Sequence, residues 1–246
     1  MQNEQTKEAG FLSRIGLTNN QLKIIAMIAM TCDHVGKFLF PDIIILQIIG
    51  RLAFPIFAYM IAEGCKYTKN RKRYLLQLAC FGLLMQAVVY IVEGLWYLNI
   101  FLTFTLSITA IFALERFINK RSELNYILLL LAVALVFFFG YAFYTVIPID
   151  GYYIDYGILG VLFPVVIYFA PNKWLKIASA TVMMALFGIL NDALQFYMLL
   201  TVPLFVLYNG TRGKAKLKYL FYFFYPLHML IIYGLYVIKY WEYFFG

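Results

Sequence analysis

Apolar runs of roughly twenty residues, each closed by polar or turn residues, follow one another along almost the whole chain. Nine segments can be read, at about 22–40, 43–67, 74–93, 99–115, 124–147, 156–170, 175–190, 193–208 and 219–240. An α-helix rises about 1.5 Å per residue, so a run of this length crosses a hydrocarbon core of about 30 Å. The pattern predicts an all-α fold: a polytopic membrane helix bundle of about nine transmembrane helices. Eight to ten are compatible with it, because the sixth to eighth segments are short enough for tilt, local thinning or a re-entrant path.

Composition agrees with this reading. The 246 residues are 64% hydrophobic, 20% aromatic and only 13% charged, with a mean hydropathy of +0.81, too little charged surface for a soluble domain of this length. Residues 1–21 are polar and lack a basic stretch leading into an apolar core and a small-residue cleavage site, so they read as a cytoplasmic amino-terminal segment rather than a cleaved signal peptide. Cys32, Cys65 and Cys80 are odd in number and lie in or beside apolar segments, which suits packed thiols better than a disulfide framework. No fixed-period repeat or low-complexity linker divides the chain, and 1–246 reads as a single transmembrane domain.

Charge adds an orientation. Lys7, Arg14 and Lys23, then Lys66, Lys69, Arg71, Lys72 and Arg73, then Arg116, Lys120 and Arg121, then Lys173 and Lys176, then Arg212, Lys214, Lys216 and Lys218 occupy alternate connections. The opposite set holds Asp42, Glu93, Asp150, Asp155 and Asp192, with almost no cation before Lys239. The positive-inside rule places the amino terminus in the cytoplasm and, for nine spans, the carboxyl terminus outside. The formal charge of +8 is then mostly topological and does not call for nucleic acid. Aromatic clusters at segment ends, among them Trp96 and Tyr97, Tyr152, Tyr153 and Tyr156, and Trp241, Tyr243 and Phe244, suit interfacial belts.

Against this background Asp33 and His34 stand out near the middle of the first segment. An ionisable group at that depth costs about 2.5–3.5 kcal/mol on insertion scales and is by default a functional candidate. Helical rise puts His34 about 18 Å from the inner face, Arg51 on the second segment at roughly 18 Å, and His228 on the last at about 13 Å. Two imidazoles, a carboxylate and a guanidinium therefore fall near one level. The structural reading of the same residues is a buried lock of Asp33 to Arg51, or to Lys37 one turn on, with the histidines as hydrogen-bond partners. Gly50, Gly64, Pro55 and Pro226 are positioned to interrupt the flanking helices, as is tolerated where backbone lines a cavity or is buried in protein. Glu63 lies towards the inner face, where Lys66 is a ready partner. Asn99, Thr103, Asp155, Tyr156 and Asp192 form a polar set towards the outer side, suited either to a polar acceptor or to solvated loops and helix caps.

Taken together, TCDHVG, IGRLAFPIFAYMIAEG, NIFLTFTL, DYGILG, YNGTRGK and FYFFYPLHMLII resemble, in order and from about Leu22 to Ile232, the TraX family, named for a conjugation protein that acetylates the amino terminus of F-pilin. The resemblance implies an integral membrane acetyltransferase, related to the acyltransferase-3 group and to lysosomal heparan N-acetyltransferases, that uses cytosolic acetyl-CoA. It would act in the cytoplasmic membrane of a prokaryote on an extracytoplasmic amine or hydroxyl, such as a pilin-like peptide amino terminus or a surface glycan. His34 falls on the DH motif, Arg51 on GR, Glu63 on EG and His228 on PLH.

The mechanism expected is proton removal from the acceptor by His34, oriented by Asp33 or a backbone carbonyl, with Arg51 or His228 stabilising the oxyanion. Glu63, Arg71, Lys72, Arg73, Arg212 and Lys216 are the candidates on the acetyl-CoA side. An acyl-enzyme on His34 or Cys32 is a variant of this scheme. No close-spaced ligand motif suggests a metal. The rival classes are a proton-coupled transporter, with midplane His and Asp as a relay, and a non-catalytic secretion or conjugation partner.

Overall fold

The computed structural model describes residues 16–94, 98–142, 153–214 and 218–241. Helices account for nearly all of them: α1 Asn19–Phe38, α2 Ile44–Gly50, α3 Ala53–Tyr67, α4 Arg71–Glu93, α5 Ile100–Asn119, α6 Glu123–Phe137, which continues as a π turn Phe138–Ala142, α7 Gly157–Phe169, α8 Lys173–Leu190, a 3-10 helix Ala193–Thr201, α9 Val202–Leu207 and α10 Lys218–Lys239. Among the described residues there is no strand, only the isolated bridges Leu17 to Tyr208 and Leu98 to Ile154. Among the described residues five stretches are long and apolar enough to cross a membrane: Ile44–Tyr67, Arg71–Ile91, Ile100–Asn119, Glu123–Tyr141 and Lys173–Leu190. Gly157–Phe169, Ala193–Leu207 and Phe223–Lys239 are shorter apolar helices. On α6, Leu124, Ile127, Leu131, Val133 and Phe137 are each more than half exposed, a surface that suits lipid and not water.

The chain forms two compact units, one made of the residues up to Met60 with those from Met184 on, the other of Ile61–Met183. In the second, α5 is the centre, packed by α4, α6 and α7. Its Ser107 hydroxyl, wholly buried, donates to the Val161 carbonyl of α7 at 2.8 Å, and its Ile108 and Ile111 are fully buried.

The first unit holds Asp33, His34, Arg51 and His228. Its core stacks Tyr59 on Phe205 at 4.6 Å between ring centres and sets Phe54 edge-on to Phe187 at 5.4 Å. The start of α1 is fixed by a capping box, in which the Thr18 amide donates to Gln21 at 2.8 Å and the Thr18 hydroxyl accepts from the Gln21 amide at 3.4 Å. The loop after α9 completes that end: Asn19 and Asn20 amides donate to the Thr211 and Arg212 carbonyls at 2.8 and 3.3 Å. Gly210 and Gly213 supply the loop's left-handed backbone, with φ of 74° and 85°, which explains two glycines of YNGTRGK.

Contacts between two pairs of helices give relative directions within this unit. Gly36 of α1 faces Leu46 and Gln47 of α2 while Asp33 faces Gly50, so these helices are antiparallel. His34 meets His228, Phe38 meets Tyr233 and Tyr236, and Lys239 donates to the Leu39 carbonyl, so α1 and α10 run parallel.

The second apolar segment is broken where Gly50 and Pro55 lead one to expect it, between α2 and α3. Pro55 falls in the first turn of α3, where its missing N–H has no intrahelical partner, while its ring would collide with the Arg51 carbonyl in a continuous helix. Pro226, in contrast, sits inside α10 without ending it. Gly50 also permits the close approach of the two helices: a Cβ there would stand 2.8 Å from the Asp33 Cα and closer to its side chain. Gly50→Ala should therefore lower the thermal midpoint of the purified protein. Overpacking costs about 1–3 kcal/mol, against the 0.5–1 kcal/mol that alanine returns in helix propensity. A midpoint equal to or above the native one would show that α1 and α2 separate freely here.

Candidate active site

Asp33 lies on the buried face of α1, and both its carboxylate oxygens have cationic partners. Oδ1 accepts from Arg51 Nη2, and Oδ2 pairs at 2.6 Å with Lys37 Nζ, one turn further on α1. Arg51 sits in the break between α2 and α3, where it also donates from Nε to the Gln47 carbonyl at 3.3 Å and from Nη1 to Gln195 of the 3-10 helix at 3.5 Å. Asp33 and Arg51 are 7% and 6% exposed, which makes this a buried ion pair, whereas the Lys37 side chain is 47% exposed. The guanidinium thus fastens α1, α2 and the 3-10 helix at one point. Its fork of donors suits that geometry in a way a lysine ammonium does not.

His34 points elsewhere, as the 100° step between neighbours on a helix requires. Its Nδ1 lies 2.9 Å from Nε2 of His228 on α10, and Nδ1 of His228 lies 2.9 Å from the Phe224 carbonyl. The His228 ring stacks on Phe224 at 4.8 Å and 7° and meets Tyr225 edge-on at 5.3 Å; Tyr225 also stands edge-on to His34 at 6.2 Å. His228 is buried and His34 half-buried, and among the described residues nothing hydrogen-bonds His34 Nε2. The unit therefore brings Asp33, His34, Arg51 and His228 together as two adjoining pairs. Asp33 serves the lock and a second imidazole serves His34.

A model described as TraX protein matches residues 18–236. The chain belongs to the TraX family. A probable fimbrial assembly protein of Dichelobacter nodosus, FimC of serogroup H1, is 28% identical over 237 residues, covering 86% of this chain and 93% of that protein. An uncharacterized protein of Rickettsia prowazekii, RP591, is 39% identical over 71 residues, covering 28% of this chain and 27% of its own. No solved structure matches.

The candidates for the acetyl-CoA side divide between the units. In the second unit Glu63 is buried and pairs with Lys176 of α8, not with Lys66. Arg71 pairs at 2.6 Å with Glu115 and lies over the Phe112 ring at 4.8 Å, and the Tyr168 hydroxyl donates to the other Glu115 oxygen at 2.8 Å. Lys72 and Arg73 are exposed in the first turn of α4. In the first unit Arg212 is exposed; Lys216 lies outside the described residues, as do Lys7, Arg14, Trp96, Tyr97, Asp150, Tyr152, Tyr243 and Phe244.

Among the polar residues expected on the outer side, Asn99 caps α5 by accepting from the Phe101 amide at 3.1 Å and donates to the Gly82 carbonyl at 2.8 Å. Thr103 is fully buried and donates to the Asp155 carbonyl at 3.0 Å. Asp155 and Tyr156 lead into α7, with Tyr156 left-handed at φ 60°. Asp192 caps the 3-10 helix by accepting from the Leu194 amide at 3.3 Å. The cysteines are all free thiols, Cys32 half-buried, Cys65 buried and Cys80 exposed.

Sequence spacing does not single out Glu115, Tyr168 or Gln195, and it marks Lys176 only as a cation of a connection. Glu115 had a signal, as the one acid in the apolar run of α5. Lys176 had a weaker one, since a cation at a segment end satisfies the topology rule without needing a partner.

Proposed function

We propose that this protein is a membrane-embedded acetyltransferase that moves an acetyl group from cytosolic acetyl-CoA to an amine or hydroxyl on the outer side of a prokaryotic cytoplasmic membrane. The observation that carries the reading is the imidazole pair: a half-buried His34 held by a second histidine, in an apolar helical setting where a packing role would need no such pair. TraX membership supports it, since the conjugation protein for which that family is named acetylates a pilin amino terminus. The fimbrial assembly relative favours an appendage subunit, and hence a peptide amine, as acceptor. The same relative also favours the second reading, a non-catalytic partner in assembly.

In the proposed reaction His34 takes a proton from the acceptor nitrogen or oxygen as that atom attacks the thioester carbonyl. The new bond joins acceptor to acetyl carbon, the carbon–sulfur bond breaks, and the coenzyme A thiolate leaves with the proton returned by His34. Asp33, Arg51 and Lys37 hold the helix that carries His34. Within the second unit Asn99, Thr103, Asp155 and Tyr156 are the candidates for the acceptor side, and Asp192 of the first unit is a separate candidate. The helix parity fits the proposed orientation: α1 and α10 run parallel, as the first and last of an odd number of spans would.

Purified protein in lipid vesicles, incubated with acetyl-labelled acetyl-CoA and an amine acceptor, should consume the donor and release free thiol. A transporter or assembly partner leaves the donor intact, and that result would overturn the proposal. Lys72 and Arg73 of the second unit, and separately Arg212 of the first, are the exposed cations we take as candidates for the coenzyme A phosphates. Reversing Lys72 and Arg73 to glutamate should weaken donor binding by about 5–30-fold, the equivalent of about 1–2 kcal/mol for two exposed charges. Unchanged acetyl-CoA affinity rejects those two residues.

A further inference from the structure

The orientation of the two imidazoles specifies which nitrogen of His34 reacts, a deduction that rests on the acetyl-transfer reading only for its final step. A backbone carbonyl accepts and never donates, so the 2.9 Å contact from His228 Nδ1 to the Phe224 oxygen places a proton on that nitrogen. A neutral imidazole has one donor and one acceptor, so Nε2 of His228 presents a lone pair. The atom facing it at 2.9 Å, Nδ1 of His34, must then be the donor. The same rule leaves Nε2 of neutral His34 unprotonated, and it is the nitrogen that no described residue hydrogen-bonds.

We infer that His228 is a positioning residue, which with the Phe224 carbonyl holds His34 as the Nδ1–H tautomer so that Nε2 is the reacting base. The contacts on His228 suit such a task. Phe224 stacked at 4.8 Å and Tyr225 edge-on at 5.3 Å fix its ring plane, and Tyr225 braces His34 as well. Asp33, the acid next to His34 in sequence, is engaged by Arg51 and Lys37 and takes no part in this chain of hydrogen bonds. During turnover the acceptor's proton bonds to His34 Nε2. The Nδ1 proton can shift across to His228 Nε2 as this happens, so that one positive charge is shared by two rings. It shifts back when the thiolate removes the Nε2 proton. Protons balance, and no further reactant is required.

The chain has only two histidines, so histidine-selective ¹⁵N labelling of the full protein in micelles reports four ring nitrogens and both tautomers directly, without turnover. Expected are two neutral rings, each protonated at Nδ1, with coupling across the Nδ1 to Nε2 hydrogen bond. His228→Gln puts an amide oxygen where Nε2 stood, and should keep His34 in the Nδ1–H form and at least a tenth of the transfer rate. His228→Leu removes the acceptor, and should return His34 to a mixture of tautomers and lose about a hundredfold or more in rate. A wild-type His34 protonated at Nε2 overturns the inference, as does a His34 tautomer unmoved in His228→Leu. Should the leucine variant fail to fold, the wild-type and glutamine spectra decide. The expected tautomers in a protein without acetyl transfer would support the positioning role and refute the enzymatic reading.

Discussion

His34→Gln should fold and yet lose acetyl transfer by about 10²–10⁴-fold, the range expected for removing a general base. Glutamine's amide can still donate to His228, so the hydrogen bond between α1 and α10 survives while the nitrogen lone pair does not. His34→Ala loses the same activity and in addition strands the buried His228 acceptor, at a cost of about 1–3 kcal/mol, so it should melt lower than the glutamine variant. The measurement is initial rate with labelled donor beside the thermal midpoint of each variant. A glutamine variant that turns over at the native rate would remove His34 from the chemistry, whatever its stability.

The second large effect belongs to stability. Asp33→Asn leaves the Arg51 guanidinium buried without its carboxylate, and breaking such a pair from one side costs about 3–5 kcal/mol. Arg51→Met strands Asp33 less severely, because the half-exposed Lys37 ammonium still meets Oδ2 at 2.6 Å. Replacing both, as Asp33→Asn with Arg51→Met, should recover part of the loss, since no buried charge is then left without its partner. Asparagine is chosen because Gly50 packs against Asp33 and leaves no room for a larger side chain. With the lock as a framework and not a reactant, the double variant should transfer acetyl within about tenfold of the native rate. A double variant that is stable but as inactive as His34→Gln would assign Arg51 to the reaction itself.

Much of this arrangement is legible in the sequence. The apolar segments, the bend at Gly50 and Pro55, and the common level of Asp33, His34, Arg51 and His228 follow from helical rise and from the cost of buried charge. What sequence spacing does not carry is lateral placement. Residues 33 and 34 point about 100° apart, but only the packing of α2 on one side and α10 on the other shows which neighbour each one meets. That is why Asp33 and Lys37 were candidates to pair, and do, while the Phe224 carbonyl, a backbone group with no sequence mark, was not foreseen as the partner that sets the histidine tautomers. Glu63 illustrates the same limit. Lys66 is close in sequence, yet the pair forms with Lys176 of α8, a residue no local rule would choose.

The polar set expected on the outer side shows a different cause. Asn99 and Asp192 make the hydrogen bonds of helix caps, and Thr103 ties α5 to the Asp155 carbonyl. Such bonds satisfy backbone groups that have no partner within their own helix. Side-chain type alone does not separate that need from recognition of an acceptor.

Acetyl transfer across a membrane at His34 is the step on which the proposed function rests. It is tested most directly with protein reconstituted in sealed vesicles that enclose a peptide amine, with labelled acetyl-CoA supplied outside, to the molecules whose cytoplasmic face is outward. Labelled peptide should accumulate inside for the native protein and not for His34→Gln. Vesicles in which the enclosed peptide stays unlabelled, or becomes labelled equally in both proteins, would contradict it.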